Sequence, residues 1–382
     1  MDFQKAFDVV PHRRLLGKLN SYGISNQVIE WVKAFLLGRS QTVCINGQES
    51  SEKPVISGIP QGSVLGPMLF VVYINDLPET VNSDSFLFAD DTKLYKIITG
   101  REDCVILQND LGHLSVWSDI WLIGFHAGKC KHMHVGHHFK DTKYFLRDSE
   151  LQYAMCEKDI GVNIDDKLTF DQHISAKCKK ATSMFALIRR TFSFLNEETF
   201  LPLYKAYVRS HLDSCSSVWA PHKMKHIEQI EKVQKRATRQ IPGFKDLPYE
   251  DRLKKLKLPT LSYRRLRGDL IETYKILKGI YDPDTVQFLK LWQDSVPNMQ
   301  STRSGVRNES KLYPISTNLD VRKFSFSVRV TCEWNNLGKE ITDAPSVNCF
   351  KNRLDKYYEK KSIYYDNYKA NYKHVKGTGV VK

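Results

Sequence analysis

Two hydrophobic periods divide this chain, and the point where one gives way to the other limits what it can fold into. Up to about Phe170, short apolar runs of strand character alternate with runs whose apolar residues recur every three or four positions. Beyond it, to roughly Gly279, helical spacing dominates. Residues 11–38 carry Leu15, Leu16 and Leu19, then Val28, Ile29, Val32, Phe35 and Leu36. They predict two helices joined by the SYGIS turn, with Pro11 just inside the first and Gly38 just past the second. QTVCING runs as a strand into Asn46-Gly47, a strong hairpin signal, and PVISG continues as its partner. A further helix is expected around Pro67, facing a core with Met68, Leu69, Val72, Tyr73 and Leu77 and ending at Pro78. Leu107, Leu111, Leu114, Trp117 and Trp121 predict another helix, followed by a strand around Met133 and a second β region in YFLRDSELQY and KDIGVNI. The reading is α+β, mixed first and helical afterwards. The last hundred residues read as irregular, ending in the Tyr- and Lys-biased stretch YYEKKSIYYDNYKANYKHVKG.

One turn in the mixed part is unusual. In FLFADDTKLY, apolar Phe86, Leu87 and Phe88 lead to Asp90-Asp91, and Leu94, Tyr95, Ile97 and Ile98 resume a β-prone run, so a hairpin with two acids at its tip is expected. Asp-Asp suits the positive backbone angles of a tight hairpin less well than Asp-Gly, and turn chemistry alone does not select it. Two readings stand. The acids are a solvated turn, or they hold a hard divalent cation, which binds through carboxylates and substrate phosphates.

Charge adds a direction. The formal net charge is +14, an excess that favours a polyanionic partner. It is concentrated in residues 223–275, where 15 basic residues face 7 acidic ones. The clusters KVQKRATR, RLKKLKL and RRLRG are interleaved with apolar residues at helical spacing, predicting helices with a basic face for nucleic acid. No apolar run approaches a membrane span, and MDFQKAFDVV lacks the character of a signal peptide, so an intracellular chain without membrane partners is expected. The eight cysteines include no C-x-x-C pair and read as reduced core thiols. GKCKHMHVGHH offers Cys130, His132, His134, His137 and His138, but its alternation fits a short two-faced strand and its spacing is not that of structural zinc sites.

A second acidic stretch, DFQKAFD, opens the chain, and the Gly-rich turn SGIPQGS lies between the two. Phosphoryl transfer to a growing nucleic acid uses two magnesium ions about 3.5–4 Å apart. Carboxylates on neighbouring strands can hold both, and Gly58 and Gly62 let a nucleotide or template approach the backbone closely.

In this order and at these intervals, DFQKAFDVVPH, SGIPQGSVLGPMLFVVYINDLP and FADDTKLY resemble successive palm motifs of reverse transcriptases from LINE-type (non-LTR), jockey-like retrotransposons. LQNDLGHLSVWSDIWLIGFHAGKCKHM and KDIGVNIDDKLTF resemble the next palm motif and the hairpin after it. LYKAYVRSHLDSCSSVWAP, VQKRATRQIPG and RRLRGDLIETYKIL are similar to the thumb and C-terminal segments.

The resemblance implies an RNA-directed DNA polymerase fragment joining dNTPs to a primer 3′-hydroxyl. Its fold would be a palm with an antiparallel sheet and packed helices, then a helical thumb and an irregular C-terminal region. Residues 1–140 would be the palm without fingers, 141–279 a β-hairpin and basic thumb, and 280–382 the C-terminal region. Asp2, Asp90 and Asp91 would be catalytic and hold two Mg²⁺ ions, or Mn²⁺. Phe3, Phe7, Gln61, Gly62 and Lys129 would contact nucleotide or template, Phe7 as a gate against a 2′-hydroxyl and Lys129 as proton donor to pyrophosphate. Arg236, Arg239, Arg264, Arg265 and Arg267 would meet the nucleic-acid backbone. RNA template, DNA primer and dNTP would be the partners, and the nucleus or a cytoplasmic ribonucleoprotein the location.

Two departures set expectations. The chain reads as truncated at the first catalytic motif, which leaves the fingers to a partner chain if they are supplied at all. Only Met1 precedes Asp2, so this segment is expected to fray for want of a strand. The alternative is a non-catalytic nucleic-acid-binding remnant acting through residues 223–275.

Overall fold

The computed structural model describes residues 1–136, 139, 141–192, 194–282, 289–292, 311–359 and 361–366. His137, His138 and the tail from residue 367 lie outside the described residues. The chain divides into two units, Met1–Cys156 and Glu157–Lys382; among the described residues the first mixes helices with short two-stranded sheets and the second is helical after one hairpin, an α+β fold.

In the first unit, helices His12–Ser21 and Asn26–Leu36 form where the apolar spacing puts them, with Pro11 as the extended N-cap rather than inside the first. Their stripes bury Leu15, Leu19, Val32 and Leu36 against Leu69, Phe70, Tyr73 and Ile74 of helix Leu65–Ile74. Each such side chain contributes about 1.5–3 kcal/mol by leaving water. Met68, expected in the core, is 62% exposed, and Phe70 and Ile74 point inward instead. This helix is apolar nearly all round, so its spacing singles out no face. Asn46 and Gly47 both take positive φ, joining Cys44–Ile45 to Gln48–Glu49, while Ser40–Gln41 pairs with Lys53–Pro54.

Two buried ionic groups tie these elements together. Lys18 is 3% exposed, donates to Asp76 Oδ1 at 2.6 Å, and stands 3.6 Å over the Trp121 ring. Burial pulls its pKa below the ordinary lysine value despite the Asp76 partner. Asp110, fully buried on helix Arg101–Trp121, accepts from the Asn82 and Ser83 N–H groups at 2.9 Å and from Ser83 Oγ at 2.6 Å. These bonds fix the entry to strand Asp84–Phe88, whose partner is Asp91–Tyr95.

The stretch around Met133 does form a strand, Lys131–His132, paired parallel to Gln152–Tyr153. The His132 ring meets Tyr144 and Tyr153 edge-on, at 5.4 and 5.5 Å. The hairpin Phe145–Leu146 with Ser149–Glu150, grouped by sequence with residues 141–279, belongs to the first unit. Gln108 holds it there, bonding both the C=O and the N–H of Phe145.

The second unit begins within the strand Cys156–Asp159, whose hairpin partner Val162–Asp165 precedes helices Asp171–Thr191, Met224–Thr238, Tyr249–Leu256 and Leu261–Leu277. The last 100 residues are not irregular where they are described. Helices Phe326–Asn335 and Val347–Glu359 bury Val330, Trp334, Phe350, Leu354 and Tyr358 against Leu266, Leu270 and Tyr274. Arg329 closes this packing with a bidentate pair to Asp269, at 2.9 and 3.0 Å, and both side chains are buried. The cysteines are free, but Cys44 and Cys215 are exposed rather than core residues.

Candidate active site

The segment before helix Ala6–Val9 is tied down on both sides, against the expectation that it frays. Met1 and Thr92 exchange backbone bonds, Met1 N to Thr92 O at 2.7 Å and Thr92 N to Met1 O at 3.3 Å. Mutual exchange is the signature of an antiparallel pair, so the next residues outward, Asp2 and Asp91, lie across from one another. On the opposite edge His126 N donates to Asp2 O, Phe3 bridges Phe125, and Gln4 N donates to Gly124 O. Residues 1–4 therefore lie between the acidic hairpin and residues 124–126. A short segment suffices because both neighbours supply bonds.

The hairpin turn is Ala89-Asp90 rather than Asp90-Asp91. Ala89 takes the positive φ, and Asp91 opens the second strand opposite Phe88. Asp90 is half-exposed and Asp91 exposed. Lys129, in the turn after residues 124–126, brings Nζ to 3.4 Å from Asp2 Oδ2. Beneath Asp2, its backbone N–H donates to the buried Cys130 Sγ at 3.4 Å. Burial pushes that thiol's pKa up, so it stays protonated beside the carboxylate.

Among the described residues, no three His, Cys, Asp or Glu side chains stand close enough to enclose a metal ion. The Lys129 ammonium partly offsets the charge at Asp2. The donor set is nonetheless the oxygen-only chemistry of magnesium, which binds through one or two carboxylates plus substrate phosphates rather than an all-protein cage.

Beside this strand stands the SGIPQG corner, fastened to the first motif through backbone. Ser57 Oγ donates to Asp8 O, Gly58 N to Val10 O and Ile59 N to Phe7 O, at 3.0, 2.9 and 2.7 Å. Gly58 has φ +88°, and a Cβ there would come within 2.7 Å of Asp8 O, so only glycine fits. Gln61 is exposed and donates its Nε2 to Asp8 Oδ1 at 2.9 Å. Gly62 also has positive φ and has nothing within 4 Å of an added Cβ.

The aromatic residues divide. Phe7 is half-buried and stacks on Phe70 with centroids 4.8 Å apart. The Phe3 ring is 3% exposed and stacked on Phe125, a core position that leaves it no face for a nucleotide. The basic residues divide as well. Arg236 and Arg239 are both exposed. Arg264 is paired with Asp213 at 2.7 Å, and Arg267 grips Asp355 through two bonds of 2.5 and 2.7 Å. Arg265 is buried and bonds Ser262. Partly exposed carboxylates hold Arg264 and Arg267, and burial holds Arg265. Asp8, Cys130 and Asp110 complete the site and its support. Asp8 stands in DFQKAFD as plainly as Asp2, but spacing gives no sign of its partner.

Residues 1–184, just under half of the chain, match the family model described as reverse transcriptase (RNA-dependent DNA polymerase). The chain is also similar to polymerases of jockey and related mobile elements. It is 28% identical over 257 residues to the RNA-directed DNA polymerase from mobile element jockey of Drosophila funebris, and 28% identical over 261 residues to that of Drosophila melanogaster. It is 27% identical over 259 residues to the probable RNA-directed DNA polymerase from transposon X-element of Drosophila melanogaster. Each match covers 64% of this chain and 28% of the relative, so the chain spans little more than a quarter of the length of these relatives.

Proposed function

We propose that the first unit is the palm of an RNA-directed DNA polymerase that joins dNTPs to the 3′-hydroxyl of a DNA primer on an RNA template. The observation that carries this reading is the exchange of backbone bonds between Met1 and Thr92, which sets Asp2 across from Asp91, the residue after the turn residue Asp90. Asp2, Asp90 and Asp91 would hold two magnesium ions, or manganese, which neutralise phosphate charge and acidify the primer hydroxyl when bound.

The chain's own residues would do the rest. Phe7, braced by Phe70, supports the sugar of the incoming nucleotide from below. Gln61 and Gly62 form an exposed corner that nucleotide and template can approach. Lys129 gives a proton to the departing pyrophosphate and offsets its charge. Arg236 and Arg239, both open to solvent, meet the nucleic-acid backbone, and the helices of the second unit act as the thumb.

Primer extension by the purified chain on an RNA template, with magnesium and four dNTPs, tests this. Incorporation that disappears in Asp90→Asn is the expected result. Salt-dependent RNA binding with no incorporation would replace it with a non-catalytic nucleic-acid-binding role.

A further inference from the structure

The structure assigns Asp8 as a positioning residue for nucleotide binding: its carboxylate fixes which end of the Gln61 carboxamide faces the substrate. This rests on the polymerase reading above and concerns the same site.

An ionised carboxylate only accepts hydrogen bonds, whereas a carboxamide offers a donor end and an acceptor end. At 2.9 Å from Asp8 Oδ1, Gln61 must present its NH₂ group to the carboxylate, and so must direct Oε1 elsewhere. With Asp8 in place, Gln61 offers an incoming deoxynucleoside triphosphate an acceptor, which selects a hydroxyl or amino hydrogen. Without Asp8, the carboxamide turns freely and offers either end.

The backbone around this pair is built to hold it. Asp8 N donates to Lys5 O, and its carbonyl takes Ser57 Oγ. His12, buried at the start of the next helix, donates Nε2 to Gly58 O at 2.7 Å. With the Gly58 and Ile59 N–H bonds, these fasten residues 57–59 to residues 7–12 on both sides of Asp8. The separation of Asp8 and Gln61 is thus set by backbone rather than by two loose side chains. Phe7, stacked on Phe70, is the residue before Asp8, so the carboxamide is oriented relative to the aromatic that would lie under the sugar. A surface ion pair between flexible side chains has no such frame.

The test is a swap of acid and amide in the full 382-residue chain. Steady-state incorporation of a single dNTP is measured for the unaltered chain, Asp8→Asn, Gln61→Glu and the double variant, with Asp90→Asn as the control for the polymerase reading. Asp8→Asn leaves the carboxamide orientation undetermined, and the dNTP KM is expected to rise about threefold to tenfold with kcat within about twofold, as befits one hydrogen bond. Gln61→Glu sets two carboxylates side by side and raises KM further. In the double variant the carboxamide now at position 8 donates to the carboxylate now at position 61. The second oxygen of that carboxylate again faces outward as an acceptor, and KM returns to within about threefold of the original. Equal KM values for Asp8→Asn and the unaltered chain, or no rescue in the double variant, overturn the assignment while leaving the polymerase reading intact.

Calorimetric titration of dGTP onto the chain bound to a dideoxy-terminated primer on RNA gives the same comparison without turnover. The Kd values should follow the order of the KM values. A chain that neither incorporates nor binds dGTP overturns both the assignment and the reading it rests on.

Discussion

Lys129 Nζ stands 3.4 Å from Asp2 Oδ2, in the turn that follows the segment bonded to Asp2 along the strand edge. The lysine is held at the acidic group by backbone pairing rather than by its own length. In the polymerase reading it has two tasks, offsetting charge and giving up a proton. Lys129→Ala is expected to lower single-turnover incorporation on the order of 10²-fold with little change in dNTP affinity. Lys129→Arg keeps the charge but is a far weaker acid, so its rate should stay low while its affinity matches the unaltered chain. Equal rates for all three chains would remove Lys129 from the chemistry.

Asp110 gives a prediction about stability. Burial alone pushes its pKa up, but the hydrogen bonds from Asn82 and Ser83 outweigh that and hold the carboxyl below its ordinary value. For a carboxylate with a depressed folded pKa, the stabilisation is complete above the unfolded value of about 3.9 and is lost as pH falls through the lower folded one. Asp110→Ala strands the Asn82 and Ser83 donors at the entry to the acidic hairpin and should cost about 2–4 kcal/mol in urea unfolding at neutral pH. The difference between the two chains should shrink below about pH 4.

How much of this was legible in the sequence depended on whether a pattern carried its own partner. Asn46-Gly47 specifies a hairpin locally, and the helices in residues 11–38 carry one-sided stripes, so both were readable. Leu65–Ile74 has no polar face, and Met68 was assigned inward for that reason. The helices at Phe326–Asn335 and Val347–Glu359 were readable in principle: Phe326, Val330 and Trp334 recur every four residues, as do Phe350, Leu354 and Tyr358. Their buried Arg329 was not, because its partner Asp269 lies 60 residues earlier. The acids of the candidate site were legible as motifs. The bonds from Met1 to Thr92 and from Asp8 to Gln61 were not, since spacing does not report which strands meet. Arg264, Arg265 and Arg267 failed for the opposite reason, as a basic run looks the same whether its charges face solvent or Asp213 and Asp355.

Acid should weaken the second unit through His173. Its ring is buried, Nδ1 accepts the Asn163 N–H at 3.0 Å, and burial, with Lys177 nearby, pushes its pKa down to about 4. Accepting through Nδ1 requires the neutral ring, whereas the unfolded chain takes up a proton near pH 6.5. The unfolded state therefore binds more protons between about pH 6.5 and 4, and stability falls as pH drops through that window. The full loss is on the order of 3 kcal/mol, most of it below about pH 6. Urea midpoints at pH 7.5 and 5.0 check this: His173→Gln, which keeps an acceptor but does not titrate, should flatten the difference. His211, also pushed down by burial and by Lys177 and Lys180, leaves a residual slope.

The basic segment separates arginines free to meet phosphate from those already committed. Arg236 and Arg239 are open to solvent, and Arg239 makes one bond to the Lys245 carbonyl at 3.3 Å. Removing one cation that neutralises a phosphate of single-stranded RNA lowers the slope of log affinity against log salt by about 0.7. Arg236→Gln with Arg239→Gln should therefore reduce that slope by about 1.4 and leave the thermal midpoint unchanged. Arg267→Ala should do the reverse, because its guanidinium holds Asp355 and ties helix Leu261–Leu277 to helix Val347–Glu359. It should lower the midpoint with the RNA salt slope intact. A slope that falls in Arg267→Ala with no loss of stability would mean that RNA draws this arginine away from Asp355, and would return it to the nucleic-acid interface.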